Sequence, residues 1–361
     1  MKKTGIIFTI VVTLILSLSL SFVVPAALAK SQKAEFTWKV ATAWPAGCAM
    51  NDAAIHFFDL IKYYSGGRID YKFHSADEIV PSFEVWDAVS KGVVDAGHAC
   101  NCYTIGRTWA SAMFCATPFP VGPSGGVMRL LWLYEGGGND LHDEIVGKYY
   151  NVKGFPASPV GTEVWLYSNK MFNSMDDLKK AKIRSTGIRA AIFNAAGVST
   201  VSLPGGELVP SLQKGVVDAV EYSLLSWDWP LGFSDVTKYV YFSKIAMSGC
   251  LYGFINKKRW NELPDDLKKA VNKAAYDSAL WALKWTEYND TKVAHDIGEK
   301  GNVKVLFVPD EIEKELAIAA KKVFSEKYEK DPEVKKIIDS WKKFFGDDKY
   351  QEYRQFMQVA Q

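Results

Sequence analysis

Residues 203–222 read LPGGELVPSLQKGVVDAVEY, and the hexapeptide KGVVDA at 214–219 within them occurs a second time at 91–96. In both copies a helix-like stretch ends at a lysine, the chain turns on a glycine (Gly92, Gly215), and Val-Val-Asp-Ala enters a strand. Glycine suits the left-handed position that closes a helix, and the lysine suits the helix's negative end. The repeat therefore reads as scaffolding, one device used twice. The residues just downstream, Gly97-His98 in one copy and Val220-Glu221 in the other, are where the two differ.

The surroundings of each copy have the same grammar. Before the first, strands are expected at Phe36–Ala43, Ile69–His74 and Val93–His98, with helices at Met50–Tyr64 and Pro81–Lys91. Around the second, strands at Lys182–Ser185, Val198–Leu203 and Val216–Glu221 alternate with helices at Gly187–Ala196 and Glu207–Lys214. Strand and helix in alternation predict a parallel sheet covered by helices, so the chain is α/β with two lobes. Val152–Asn169, punctuated by Gly154, Pro156, Pro159 and Gly161, suits a strand crossing between them, and Tyr239–Asn256 a return crossing. Two crossings make a hinge. The expected organisation is lobe I over 30–155 with a return segment near 245–263, lobe II over 156–244, a lobe-spanning helix over 264–300, and a C-terminal strand and helices over 301–361. The long helix rests on Pro264 at its start, acidic Asp265 and Asp266 in its first turn, Gly298 and Gly301 at its end, and an apolar face running from Leu267 to Tyr288.

Lys2, Lys3, the apolar run Ile6–Val24 and Ala27-Leu28-Ala29 after Pro25 read as an export signal cleaved after Ala29, with an uncleaved anchor as the alternative. The formal charge of +2 is accounted for by those two lysines. Nothing in the charge pattern suggests nucleic acid as a partner. All five cysteines (48, 100, 102, 115 and 250) follow the signal, an odd number for an oxidising compartment. On a strand, His98, Cys100 and Cys102 would share one face and could hold a soft metal; packing of small apolar side chains is the plainer reading.

No Walker A loop, strand-following G-x-G-x-x-G, H-E-x-x-H or G-x-S-x-G occurs, which points to binding rather than catalysis. Ligands of open parallel sheets sit beyond the carboxyl ends of the strands. Those ends bring together Trp44 and Pro45, His74, His98–Tyr103, Arg184–Gly187, Pro204-Gly205-Gly206, and Glu221 with Tyr222.

KIRSTG at 182–187, the stretch at 203–222, and EIVPSFEVWDAVSKGVVDAGH at 78–98 resemble the DctP family, the solute-binding proteins of TRAP transporters. YEGGGNDLHDE at 134–144 resembles the branch of that family that binds 2-oxo acids together with a cation. The resemblance implies a two-lobed periplasmic binding protein fold of type II-like form, no enzymatic activity, a small organic acid as solute, a membrane permease as partner, and possible homodimers. It places Arg184 on the ligand carboxylate, and Glu221 with the Tyr222 carbonyl on a cation, Ca²⁺ or Na⁺. Glu163 stands where the branch tends to have Gln. It is left open whether Glu163 joins the metal, which would favour Ca²⁺, pairs with Arg184, or contacts an ammonium or hydroxyl of the solute. Asn101 and Tyr103 are candidates for the ligand's far end, with Trp44, Trp165 and Met247 as pocket walls. Two other readings stand beside this one: an exported soft-metal or redox protein using His98, Cys100 and Cys102, and a ligand sensor of the same fold.

Overall fold

The computed structural model describes residues 34–118, 125–244 and 247–346. The expected export signal and its cleavage site lie outside them. No helix among the described residues is long and apolar enough to cross a membrane.

Thirteen strands are described. The first sheet has the order β2-β1-β3-β12-β5, from Ile69–His74 (β2), Phe36–Thr42 (β1), Ala96–Ala99 (β3), Cys250–Asn256 (β12) and Val152–Pro159 (β5). The second has the order β13-β10-β6-β9-β7-β8: Lys304–Phe307 (β13), Tyr239–Phe242 (β10), Leu166–Ser168 (β6), Ala219–Val220 (β9), Lys182–Arg184 (β7) and Ser199–Val201 (β8). Thr117–Pro118 (β4) and Met247–Ser248 (β11) pair with each other. In each sheet three neighbouring strands run parallel, β2-β1-β3 and β9-β7-β8, as the alternating pattern predicts, and β10 and β13 form a further parallel pair in the second. The crossing strands add antiparallel members: β12 lies against β3 and β5, and β6 against β9 and β10. β12 is buried along its whole length and β5 at all but one residue, hence their nearly unbroken apolar sequence.

The chain passes between the sheets three times: from β5 to β6, from β10 through β11 to β12, and along the long helix to β13. That helix spans Asp265–Lys300, running past Gly298 to stop at Gly301, whose φ of 61° is left-handed. An interior glycine costs a helix only about 1 kcal/mol, so Gly298 does not end it. Its first turns bury Leu267, Val271 and Ala274 against Phe57, Ile61 and Phe155 of the first sheet's core, whereas Ile297 joins Leu208, Val217 and Val240 beneath the second. Helix Asp310–Lys330 then packs on helix Gly187–Ala195, and helix Pro332–Phe345 on the helices of the first lobe, burying Ile337 and Trp341. Most of the tail's charged residues lie on the faces left outside; Glu313 is buried and accepts from Ser243 Oγ and the Lys244 amide.

The repeated hexapeptide has one role in both sheets. Gly92 and Gly215 adopt φ of 75° and 67°, and the next amide in each copy bonds back into the helix, Val93 to Ala88 and Val216 to Ser211. Val94 and Val217 are buried, while Val93 and Val216 are exposed. Asp95 donates its amide to the Lys39 carbonyl and accepts from the Lys39 amide at 2.8 Å; Asp218 does the same with Lys182, its carboxylate at 2.9 Å. The aspartate thus ties each turn to the neighbouring parallel strand, at the middle of β1 and at the start of β7. Consequently Val-Val-Asp is turn, and the strands begin only at Ala96 and Ala219, later than the sequence pattern suggests.

Candidate functional site

The ends of four strands open into one cavity between the sheets, with about 530 Å³ of space not filled by atoms. From the first lobe come Trp44, Met50, Cys100, Cys102, Tyr103 and Cys115; from the second, Arg184, Thr186, Arg189, Glu221 and Tyr222; from the crossings, Val160, Glu163, Met247 and Leu251. These are the carboxyl ends of β1, β3, β7 and β9, as the topology requires. His74, at the end of β2, is not part of it and sits beside Glu78.

Arg184 is 1% exposed, and the backbone fixes its guanidinium. Nε and Nη2 donate to the Leu203 carbonyl at 3.0 and 2.9 Å, and Nη1 to the Glu221 carbonyl at 2.5 Å. Three of five N–H groups are thereby used, leaving one on each terminal nitrogen with which the guanidinium can meet a carboxylate. The ring of Tyr222 lies 5.2 Å from its Cζ. The Glu221 carboxylate accepts from Ser185 Oγ at 2.9 Å and the Thr186 amide at 3.3 Å, and lies 3.9 Å from both Arg184 and Arg189.

Glu163 does not pair with Arg184. Its partner is Arg189, at 2.7 Å, a residue the sequence reading passed over. Arg189 also donates to the Val164 and Trp165 carbonyls at 3.2 and 3.3 Å and to Met247 Sδ at 3.1 Å, so it ties helix Gly187–Ala195 to two of the crossings. A signal existed: Ile188, Arg189, Ile192 and Phe193 are the buried residues of that helix, and an arginine in that apolar spacing has a buried partner. Burial, opposed by Arg189, raises the Glu163 carboxyl to about 8. Whether a guanidinium or a proton cancels its charge, Glu163 adds no net negative charge beside a cation. The charge argument for Ca²⁺ over Na⁺ therefore falls.

Three other expectations need correction. Asn101 turns out of the cavity, its amide nitrogen 3.0 Å from His142 Nε2 and 3.3 Å from Ser111 Oγ. Its turn, Asn101–Thr104, points Tyr103 inward instead, against Trp44 and Phe83. Trp165 lies outside, lining a smaller neighbouring pocket with Ile192, Phe193 and Leu316, because its backbone follows Tyr241 of β10. His98 does not share a face with the cysteines. Trp44 Nε1 donates to its Nδ1 at 2.8 Å, which leaves Nε2 to carry the proton toward Ser158 Oγ at 3.1 Å. Burial drives its pKa down to about 3, so it is neutral and serves to fix Trp44. Trp44, Tyr103 and Met247 do line the cavity.

Among oxygens that suit a hard cation, the Glu221 carboxylate and the Tyr222 carbonyl stand together after β9. The Tyr222 carbonyl accepts no hydrogen bond among the described residues, whereas the Glu221 carbonyl is taken by Arg184. That donor set fits Na⁺ or Ca²⁺.

The sequence profile of the bacterial extracellular solute-binding proteins of family 7, DctP, matches residues 40–331. The chain belongs to this family. This solute-binding protein is 28% identical over 309 residues to a monocarboxylate 2-oxoacid-binding periplasmic protein of Nostoc sp., covering 85% of this chain and 83% of the other. A TRAP periplasmic solute-binding protein from Pseudoalteromonas atlantica, solved with bound sodium and pyruvate, superposes with a TM-score of 0.83 at 25% identity, over 90% of this chain and 98% of that one. One from Bordetella bronchiseptica, a mixed-occupancy dimer with copurified calcium and picolinate, gives 0.81 at 26%, over 90% and 94%. The expected family and two-lobed fold are borne out.

The lobes of this solute-binding protein touch at Gly187, whose φ of 61° is left-handed and whose position for a Cβ lies 2.7 Å from Cys102 Cβ. A side chain there would both strain the turn, by roughly 1–2 kcal/mol, and hold the lobes apart. Gly187→Ala should weaken solute binding at least tenfold in calorimetry, with the far-ultraviolet circular dichroism of the folded protein unchanged. Wild-type affinity would show that closure does not need this contact.

Proposed function

We propose that this protein captures a small 2-oxo or 2-hydroxy monocarboxylate, such as pyruvate or lactate, together with Na⁺ or Ca²⁺, and delivers it in the periplasm to a TRAP permease without chemical change. The observation that carries the reading is the pair of donors left on a backbone-locked Arg184 that lines the interlobe cavity. Two arginines and two carboxylates in a site walled by Trp44, Tyr103 and Met247 suit a compact anion with an oxygen beside its carboxylate. Arg184 would take the carboxylate. Glu221 and Tyr222 would hold the cation next to it, and the bound cation would supply the positive charge that draws in the solute's second oxygen. The relatives that bind a 2-oxo acid, or pyruvate with sodium, support the same class. In the exported chain the residues up to Ala29 would be absent, and Arg189 would keep helix Gly187–Ala195 in register with the crossings as the lobes close.

Each ligand then completes the other's site, so binding should be cooperative. Calorimetry of the chelator-treated protein should give little or no pyruvate binding until Na⁺ or Ca²⁺ is returned, and lactate should behave alike. Full affinity in chelator and sodium-free buffer would refute the cation, and a panel of 2-oxo and 2-hydroxy acids that never raises the melting temperature would refute the solute class.

A further inference from the structure

Cys100, Cys102 and Cys115 come from the end of β3 and the loop after helix Trp109–Ala112, and their sulfurs all lie within 4.8 Å of one another. All three line the cavity, on the first-lobe side, yet none has a part in holding a carboxylate or a hard cation. The Cys102 amide donates to Cys100 Sγ at 3.1 Å, although burial holds the Cys100 thiol well above its ordinary range until a metal displaces the proton. Arg129 is buried outside the cavity lining and donates to the Met113 carbonyl at 2.9 Å and to Thr117 Oγ1 at 2.5 Å, residues on either side of Cys115.

We propose that Cys100, Cys102 and Cys115 form a three-thiolate site for a soft divalent ion of the Zn²⁺ or Cd²⁺ class, separate from the hard-cation site at Glu221 and Tyr222. Three ligands leave a tetrahedral ion one open position, which a cavity lined by all three cysteines leaves room to fill. A Zn–S bond of about 2.3 Å sets tetrahedral sulfurs roughly 3.8 Å apart. The sulfurs all lie within 4.8 Å of one another, so the spacing is within their reach once Cys100 and Cys115 open from their 2.7 Å contact. Three thiolates around a divalent ion carry one net negative charge, and a buried guanidinium at Arg129 offsets it. A monovalent ion would leave two. On binding, each thiol gives its proton to solvent and its sulfur lone pair to the metal, so no oxidant or reductant is needed. The competing fate is a disulfide between Cys100 and Cys115, which two electrons lost to a periplasmic dithiol oxidase would form. It would leave Cys102 in contact with the bond and free to exchange into it.

The test is an anaerobic titration of the reduced, mature protein with Cd²⁺ alone, followed by thiolate-to-metal charge-transfer absorption. Saturation at one equivalent is expected. Cys102→Ser and Cys115→Ser should each weaken binding by tenfold or more, whereas Cys48→Ser and Cys250→Ser should not change it. Since no solute is present, the result is independent of the organic-acid reading. Absence of a charge-transfer band in the wild-type protein would overturn the proposal, as would equal Cd²⁺ affinity in Cys102→Ser. If a triad variant fails to fold, the wild-type titration with and without thiol alkylation under mild denaturation decides. A Cys100–Cys115 disulfide that reforms in the folded protein despite excess Cd²⁺ would also overturn it.

Discussion

Arg184→Lys should lower pyruvate affinity by a hundredfold or more, and Arg184→Ala should leave no binding measurable by calorimetry. The guanidinium is committed at three points to the Leu203 and Glu221 carbonyls, which orient the two remaining N–H groups. A lysine ammonium has three donors on a flexible stem and no fixed plane. To reach a carboxylate it must abandon those carbonyls, leaving buried acceptors unpaired, and it cannot offer a donor on each of two nitrogens. The loss of two charge-assisted bonds, at about 1.5 kcal/mol or more each, is about 3 kcal/mol, or roughly a hundredfold. Thermal unfolding of Arg184→Ala should also fall, because the Leu203 carbonyl loses both of its arginine donors. A lysine variant with wild-type affinity would remove Arg184 from the solute's carboxylate.

Much of this fold was legible because its punctuation is local. The glycine turn of KGVVDA, the aspartates that start the long helix and the alternating strands and helices around each repeat all express short-range preferences. Where the sequence reading overran, as at Val93–Asp95, the cause was a tertiary tie: Asp95 bonds across to Lys39, 56 residues away, and holds as turn a segment that looks like strand. The site divides in the same way. Strand ends could be placed, so Arg184, Glu221, Tyr103 and Trp44 were found; Asn101 was placed too, but its side chain follows His142, 41 residues on, a contact no local pattern carries. His142 belongs to the GGGNDLHDE stretch, and stacks on Tyr252 at 4.2 Å. That stretch therefore buttresses the loop behind the cavity rather than lining it. Cys115 joined Cys100 and Cys102 only through the chain's return, and His98 left them because Trp44 needed an acceptor.

Arg189→Met should destabilise the protein strongly, by about 3–5 kcal/mol in denaturant unfolding, and the loss should grow with pH. The variant leaves Glu163 without its 2.7 Å partner in a site where burial already raises its carboxyl to about 8. In the wild type Glu163 thus holds a proton that it releases near 4.5 in the unfolded chain, so this group's contribution to stability is fully present below that value and is lost as pH rises through about 8. Removing the guanidinium removes what opposes burial, and the folded pKa moves higher still. At pH 6 a proton can neutralise Glu163 at modest cost, whereas at pH 9 the choice is between a buried bare carboxylate and a costly protonation. Glu163→Gln should flatten the pH slope of the otherwise unchanged protein. Combined with Arg189→Met, it should recover much of the lost stability, since the double variant leaves no unpaired charge. Recovery will not be complete, because the Val164 and Trp165 carbonyls and Met247 still lose the donors that join helix Gly187–Ala195 to the crossings. An Arg189→Met protein as stable at pH 9 as at pH 6 would show that Glu163 reaches solvent, and that the pair does not brace the hinge.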